Sequence, residues 1–92
     1  MALLDETQVA EALARLEGWT RTGDEIRRSF ELADFKGSVE FVNRLLPVAE
    51  RMNHHPDLEI SWNTVVVKIS THSEGGLTAA DFELAGELDA LT

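Results

Sequence analysis

The chain contains no cysteine and no tyrosine, and its 92 residues include only 8 lysines and arginines against 17 aspartates and glutamates, a formal net charge of −9. Without cysteine there is no disulfide, no thiolate metal ligand and no thiol nucleophile. Nucleic-acid binding needs a basic face, and an anionic membrane surface would repel so acidic a protein. We therefore expect no nucleic-acid partner and no membrane partner.

Long apolar runs are also absent. A membrane-spanning helix needs about 18 consecutive apolar residues, and no stretch of this sequence approaches that length. The opening Met-Ala-Leu-Leu-Asp-Glu lacks the basic segment that precedes the apolar part of a signal peptide. These absences predict a soluble, cytoplasmic protein. The length predicts a single domain, residues 1–92, and a chain this short buries only about 60–65% of its unfolded surface. We expect self-association to supply the missing stability.

Hydrophobic periodicity predicts seven elements in the order αββαββα. They are a helix from Asp5 or Thr7 to Gly18, a strand at Trp19–Arg21, a strand at Ile26–Leu32, a helix from Phe35 to about Asn53, strands at Leu58–Trp62 and Val65–Thr71, and a helix after Thr78. Turn residues between paired strands indicate hairpins. The fold class is therefore α+β, a four-stranded antiparallel sheet with helices packed on one face. The aromatic residues are expected mostly in the core, with Trp62 as a possible pocket wall.

All three histidines follow predicted elements. His54 and His55 precede Pro56 at the end of the long helix, and His72 ends a strand before a glycine-rich loop. A residue before proline avoids the helical region, so the helix should end near Asn53 or His54. The unperturbed pKa of histidine, roughly 6.5, lies near neutral pH. Three histidines at element ends, with carboxylates nearby, indicate proton transfer.

Two of these positions also have plainer interpretations. Glu50 and His54 lie four residues apart and would share a helix face, where the carboxylate could orient the imidazole. Alternatively, His54 belongs to a solvated last turn, where the helix dipole favours a histidine. His72 could equally be an exposed strand end.

A metal site is not expected. It would combine His54 or His55 with His72 and a carboxylate such as Asp57 or Asp81, and no His-Glu-x-x-His spacing supports it. Asp81 has another explanation, because Thr78 and Asp81 have the spacing of a capping box at the start of the last helix. A carboxylate fixed there can also orient a histidine.

Taken together, several motifs resemble those of the pterin-4a-carbinolamine dehydratases. They are Ala49 to Asp57 (Ala-Glu-Arg-Met-Asn-His-His-Pro-Asp), Trp62 to Val65, Thr71-His72, and Gly76 to Asp81 (Gly-Leu-Thr-Ala-Ala-Asp). The similarity covers most of the chain, from about Trp19 to Leu88. Each motif alone is weak, whereas their joint occurrence at these separations is specific.

The resemblance implies an αββαββα fold, a pterin substrate and the removal of water from 4a-hydroxytetrahydropterin to give quinonoid dihydropterin, with no metal or other cofactor. It implies a homodimer or homotetramer. The catalytic residues it implies are His54, His55, His72 and Asp81. The substrate-binding residues it implies are Glu50, Asn53, His54, His55, Ser70, Thr71, His72 and Ser73.

Our hypothesis assigns His54 and His72 to the acid/base pair, leaving open which is the acid. The chain departs from the family pattern at Leu58, where the family usually has tryptophan, and at Trp62, where it has tyrosine. Pro47 inside the long helix is also unusual and should bend it. The alternative function is a non-enzymatic dimerisation or assembly module on the same fold.

Overall fold

A computed structural model describes residues 2–92. The helices and strands are α1 Glu6–Ala14, β1 Thr20–Thr22, β2 Glu25–Glu31, α2 Phe35–Met52, β3 Asp57–Ser61, β4 Thr64–Ile69 and α3 Ala79–Asp89, with a 3₁₀ turn at His72–Glu74. The predicted order αββαββα is confirmed. Within the described residues, no helix is both long and apolar enough to cross a membrane.

The four strands form one antiparallel sheet in the order β1-β2-β4-β3. Strand β4 is one of the two inner strands, and its Val65 lies opposite Phe30 of β2 and Ile60 of β3. Val65, Val67 and Ile69 are fully buried, as strand alternation requires for the side that meets the helices. The predicted α+β class, with helices on one face of the sheet, is confirmed.

Side-chain caps begin both of the first two helices. The Asp5 carboxylate accepts from the backbone N–H of Gln8 at 2.8 Å, and the Asp34 carboxylate accepts from Gly37 at 2.7 Å. Such caps satisfy backbone donors that a helix leaves unpaired at its first turn. In α1, the hydrogen bond from Arg21, and then its charge, lower the pKa of Glu6 from its ordinary value.

Helix α2 is continuous through Pro47. Proline lacks the N–H that would bond the carbonyl one turn earlier, but Pro47 is exposed, where water can replace that bond. The helix ends where Asn53 adopts a left-handed conformation with φ 49°. Asparagine tolerates this conformation better than most residues, and it redirects the chain before His54.

Two predicted boundaries differ from the structure by two residues or more. Helix α1 ends at Ala14, and Gly18 lies in the following loop with φ 84°. Strand β4 ends at Ile69, two residues earlier than predicted, because its neighbours end there: Ile69 is the last position paired with β2, and Lys68 the last paired with β3. Thr71 therefore lies beyond the sheet.

Aromatic residues divide between core and surface. Trp19, Phe30 and Phe41 are buried, and the Phe30 and Phe41 ring centroids lie 4.7 Å apart. The expectation of a core position was wrong for Phe35, which is exposed at the start of α2. Trp62 is exposed in the β3–β4 turn with φ 49°. A hairpin turn requires this conformation, which turns Trp62 outward.

Arg28 lies between Ile26 and Phe30 on the otherwise apolar side of β2, and its charge has a specific partner. The Arg28 guanidinium donates to Asp89 at 2.7 Å and lies 4.6 Å above the Phe30 ring centroid. The indole N–H of Trp19 donates to the same carboxylate at 3.0 Å. These contacts connect β2 and the loop before β1 to the end of α3, so the arginine belongs to the packing of the fold.

Candidate active site

The site begins at the C-terminal end of α2. The backbone N–H of His54 donates to the carbonyl of Ala49 at 3.1 Å, which closes the last helical turn. Because Asn53 has left the helical conformation, His54 follows a changed chain direction and its side chain reaches α3. A regular helix continuing through His54 would have aimed this ring elsewhere.

His54 pairs with Asp81. Their Nε2 and Oδ1 atoms lie 2.6 Å apart, a charge-assisted hydrogen bond by its length. The Asp81 side chain is 0% exposed and that of His54 is 13% exposed. Since a carboxylate only accepts, the Nε2 atom of His54 carries the hydrogen of this bond.

Asp81 has further donors at its other oxygen. Oδ2 accepts from the Thr71 hydroxyl at 2.8 Å and from the backbone N–H of Thr78 at 2.8 Å. Thr78 and Asp81 form the predicted capping box at the start of α3. The positive end of the helix dipole stabilises a negative charge at this position. The buried carboxylate is therefore both a helix cap and the partner of His54.

A cavity of about 200 Å³ lies beside this pair. Its walls come from the end of α2, the turn after β4 and the start of α3. The lining residues are Met52, Asn53, His54, Thr71, Ser73, Glu74 and Ala80. Three chain segments distant in sequence thus meet at one cavity, with a titratable ring in its wall.

His55 lies outside that lining and has its own carboxylate partner. Its Nε2 atom is 2.6 Å from Oε2 of Glu50, and both side chains are largely exposed. Sequence spacing suggested Glu50 as the partner of His54. The left-handed turn at Asn53 changes the pairing, so that Glu50 meets His55 and His54 meets Asp81.

His72 is the most exposed of the three histidines, with 78% of its side chain accessible. Its Nε2 atom lies 3.3 Å from the Ser70 hydroxyl and 3.9 Å from Oδ2 of Asp57. It sits in the 3₁₀ turn between Thr71 and Ser73, two residues that line the cavity. His72 is therefore placed at the rim of the cavity, because both of its neighbours in sequence line it.

The structure thus places the sequence-predicted residues in three groups. Asn53, His54, Thr71 and Ser73 line the cavity, with Asp81 behind His54. His55 and Glu50 form a separate exposed pair, and His72 and Ser70 form another. Among residues 2–92, no group of three or more histidine, aspartate or glutamate side chains is arranged to hold a metal ion.

Sequence reasoning missed three lining residues, which are Met52, Glu74 and Ala80. Met52 was assigned to the apolar stripe of the helix, and nothing in its spacing distinguishes a cavity wall from core. Glu74 is the one with a detectable signal, because it stands in the glycine-rich loop just after Thr71-His72. Ala80 carries none.

A second cavity, of about 300 Å³, lies between α1 and the start of α3. Its lining includes Leu4, Gln8, Arg15 and Phe82 but no histidine. Although it is larger, its lining contains no imidazole paired with a buried carboxylate. We therefore place the candidate site at the smaller cavity.

A histidine held by a buried carboxylate in the wall of a small cavity is an arrangement suited to acid/base catalysis. Comparison with known proteins identifies the family. Residues 2–91 match the family described as pterin 4 alpha carbinolamine dehydratase. The chain belongs to the pterin-4a-carbinolamine dehydratase family. By this homology it is a dehydratase, a hydro-lyase.

Individual relatives cover nearly the whole chain. A candidate pterin-4-alpha-carbinolamine dehydratase of Nocardia farcinica is 47% identical over 89 residues, which are 97% of this chain and 94% of the relative. One from Roseiflexus castenholzii is 44% identical over 90 residues, 98% and 97% of the two chains.

Two solved structures share the fold. The crystal structure of a transcriptional coactivator/pterin dehydratase from Brucella melitensis has a TM-score of 0.93 and 35% identity, with 98% of each chain covered. A pterin dehydratase-like protein, identified as a RuBisCO assembly factor in the alpha-carboxysome, has a TM-score of 0.64 and 18% identity over 79% of this chain and 84% of that one. The second likeness concerns the fold alone.

Proposed function

We propose that this protein removes water from a 4a-hydroxytetrahydropterin to give the quinonoid dihydropterin, by histidine acid/base catalysis and without a metal or other cofactor. The observation that carries the proposal is the hydrogen-bonded pair of His54 and buried Asp81 in the cavity wall. Membership of the dehydratase family supports the substrate class.

The reaction needs two proton transfers. The bond between C4a and the hydroxyl oxygen breaks, and that oxygen takes up a proton and leaves as water. N5 loses its proton, and the electron pair of the N5–H bond forms the new double bond between N5 and C4a. One group must donate a proton and another accept one, and groups that titrate near neutral pH suit both tasks.

We assign the two transfers to His54 and His72. His54 is oriented by Asp81 in the cavity wall, whereas His72 is largely exposed in the turn beside the cavity. We assign His55, held by Glu50, to contacts with the substrate at the cavity edge. Asn53 and residues 70–73, which flank the cavity, complete the proposed binding segments.

The proposal is tested by the rate at which 4a-hydroxytetrahydropterin disappears, with wild type and His72→Ala measured side by side. We expect the wild type to accelerate the loss strongly and His72→Ala to reduce kcat/KM about 10²–10⁴-fold, the usual contribution of positioned proton transfer. Because His72 is exposed, the variant should unfold at the wild-type temperature. A folded wild type that causes no acceleration refutes the proposed function.

The second candidate is an assembly or dimerisation module. An exposed apolar stripe on α2 favours it, since such surfaces mark protein contacts. A module that only binds protein has no need for a fully buried carboxylate paired with a cavity histidine. The two functions are separated by the same assay, because a pure assembly module would leave the pterin untouched.

We further propose that the protein is a homodimer or homotetramer. On the outer face of α2, Phe35, Val39 and Leu46 follow a spacing of four and seven residues, which keeps them on one side of the helix. Phe35 is 56% exposed and Leu46 is 57% exposed. A second copy of this helix would cover the stripe with a surface of the same character.

Leu46→Glu is expected to lower the oligomeric state, because it places a charge within the proposed apolar contact. Light scattering after size-exclusion chromatography should give the wild type a multiple of 10.2 kDa and the variant a smaller mass. Arg44→Gln, the same change of −1 in charge at an exposed position on another side of the same helix, is the matched control and should keep the wild-type mass. A monomeric wild type contradicts the proposal.

A further inference from the structure

Thr71 and Thr78 make a hydroxyl pair directly behind the cavity. The two Oγ1 atoms lie 2.9 Å apart, and the Thr71 hydroxyl is also 2.8 Å from Oδ2 of Asp81. Thr78 is fully buried and Thr71 half-buried. Neither distance by itself says which hydroxyl is the donor within the pair.

The carboxylate decides the direction. An ionised carboxylate has no proton to give, so the single hydroxyl proton of Thr71 goes to Oδ2 of Asp81. Thr71 can then only accept from Thr78, so the Thr78 hydroxyl donates to Thr71. The hydrogen bonds therefore run in one direction, from Thr78 through Thr71 to Asp81.

The donors on Oδ2 leave Oδ1 of Asp81 as the oxygen that bonds His54. Oδ2 of Asp81 is occupied by the Thr71 hydroxyl and the Thr78 backbone N–H, and Oδ1 faces Nε2 of His54. Two donors on one oxygen hold the carboxylate plane and aim Oδ1 at the ring. In neutral His54 the hydrogen is then on Nε2 and the lone pair on Nδ1.

We propose that Thr71 and Thr78 are positioning residues, whose hydroxyls fix Asp81 so that His54 is held in the tautomer with hydrogen on Nε2 and a bare Nδ1 for proton transfer. Their effect on turnover rests on the proposed dehydratase function, whereas their effect on the tautomer does not. The Thr71 hydroxyl acts through Asp81, in addition to the place of residues 70–73 in the proposed binding segments.

The tautomer is measured without substrate, from two-bond proton–nitrogen correlations of ¹⁵N-labelled histidine, at a pH raised until the ¹⁵N shifts show a neutral ring. His54→Gln identifies the His54 signals by their loss. We expect wild-type His54 to show hydrogen on Nε2 alone. In Thr71→Val a buried carboxylate oxygen loses a donor and meets a methyl group. Because the carboxylate is then no longer held with Oδ1 toward Nε2 of His54, we expect the second tautomer to appear.

The matched variants isolate the hydroxyl. Thr71→Ser keeps the donor and should restore the wild-type spectrum. Thr64→Val makes the same change at the other end of β4, away from the site, and should leave the spectrum unaltered. Thr78→Ser should behave as wild type, while Thr78→Ala should shift the tautomer in the same direction as Thr71→Val.

Turnover provides the second readout. Thr71→Val should lower kcat about tenfold with KM within about twofold, the result of one misplaced hydrogen bond in the transition state. Thr71→Ser should recover the wild-type kcat. A normal tautomer with raised KM in Thr71→Val overturns the proposal, since the Thr71 hydroxyl would then serve substrate binding and would not position Asp81.

Two results separate this inference from the proposed function. Wild-type His54 with its hydrogen on Nδ1 overturns the inference whatever the variants do. A tautomer shift in Thr71→Val, together with an inactive wild type, supports the positioning role and overturns the dehydratase.

Discussion

His54→Ala is expected to slow the dehydration of 4a-hydroxytetrahydropterin about 10²–10⁴-fold in kcat, the contribution of one positioned proton-transfer group. His54 is the histidine that combines a place in the cavity wall with a buried carboxylate partner at 2.6 Å. Its loss removes the imidazole, and none of the other lining residues is a histidine. Steady-state rates of pterin disappearance measure the effect.

The control for His54 must preserve the fold, because the alanine variant leaves Asp81 buried with one donor fewer. His54→Gln retains an N–H group that can bond Asp81 but does not titrate. It should therefore keep the wild-type thermal midpoint and lose as much activity as His54→Ala. Wild-type turnover in His54→Gln would show that the ring is no proton-transfer group in this protein.

Asp81→Asn is expected to lower kcat by a similar factor, about 10²–10⁴-fold, for a different reason. The amide oxygen can take the place of Oδ2 and keep the donors from Thr71 and Thr78. The amide nitrogen then faces Nε2 of His54, where donor would meet donor. His54 must turn over to the tautomer with hydrogen on Nδ1, which places its lone pair away from the reaction.

Asp34→Asn is the matched control for Asp81→Asn. Asp34 also caps a helix, but it is exposed and distant from the cavity, and asparagine caps a helix as well as aspartate does. It should leave kcat unchanged. Asp81→Ala should lower the free energy of unfolding by about 3 kcal/mol, since a buried pair loses one member. Full activity in Asp81→Asn would contradict the orienting role.

The candidate site was partly predictable. The family resemblance predicted His54 and Asp81 as site residues, and their places at a helix end and a helix start agree with that role. Asp81 was expected to orient a histidine, but which histidine was not predictable, since the spacing of four residues offered Glu50 as a partner of His54. One left-handed residue, Asn53, reverses that choice, and its conformation depends on how the helix end packs.

The order of the helices and strands was predicted more accurately than their boundaries. Strand and helix periods identified all seven elements in order, because each period reports which side of an element is buried. The end of β4 was wrong by two residues, since a strand stops where its neighbours stop, and local composition does not contain that information. Trp62 was misplaced because a turn conformation, and not its hydrophobicity, sets its exposure.

By itself the sequence determined the α+β class, the absence of thiol chemistry, the family resemblance and the chemical identity of the site residues. Those properties follow from residue types and their periods along the chain. Only the tertiary structure decided that His54 joins Asp81, that His55 joins Glu50, and that the Thr71 hydroxyl lies behind the carboxylate. These are contacts between segments 5 to 27 residues apart, set by the packing of α3 against the end of α2 and the turn after β4.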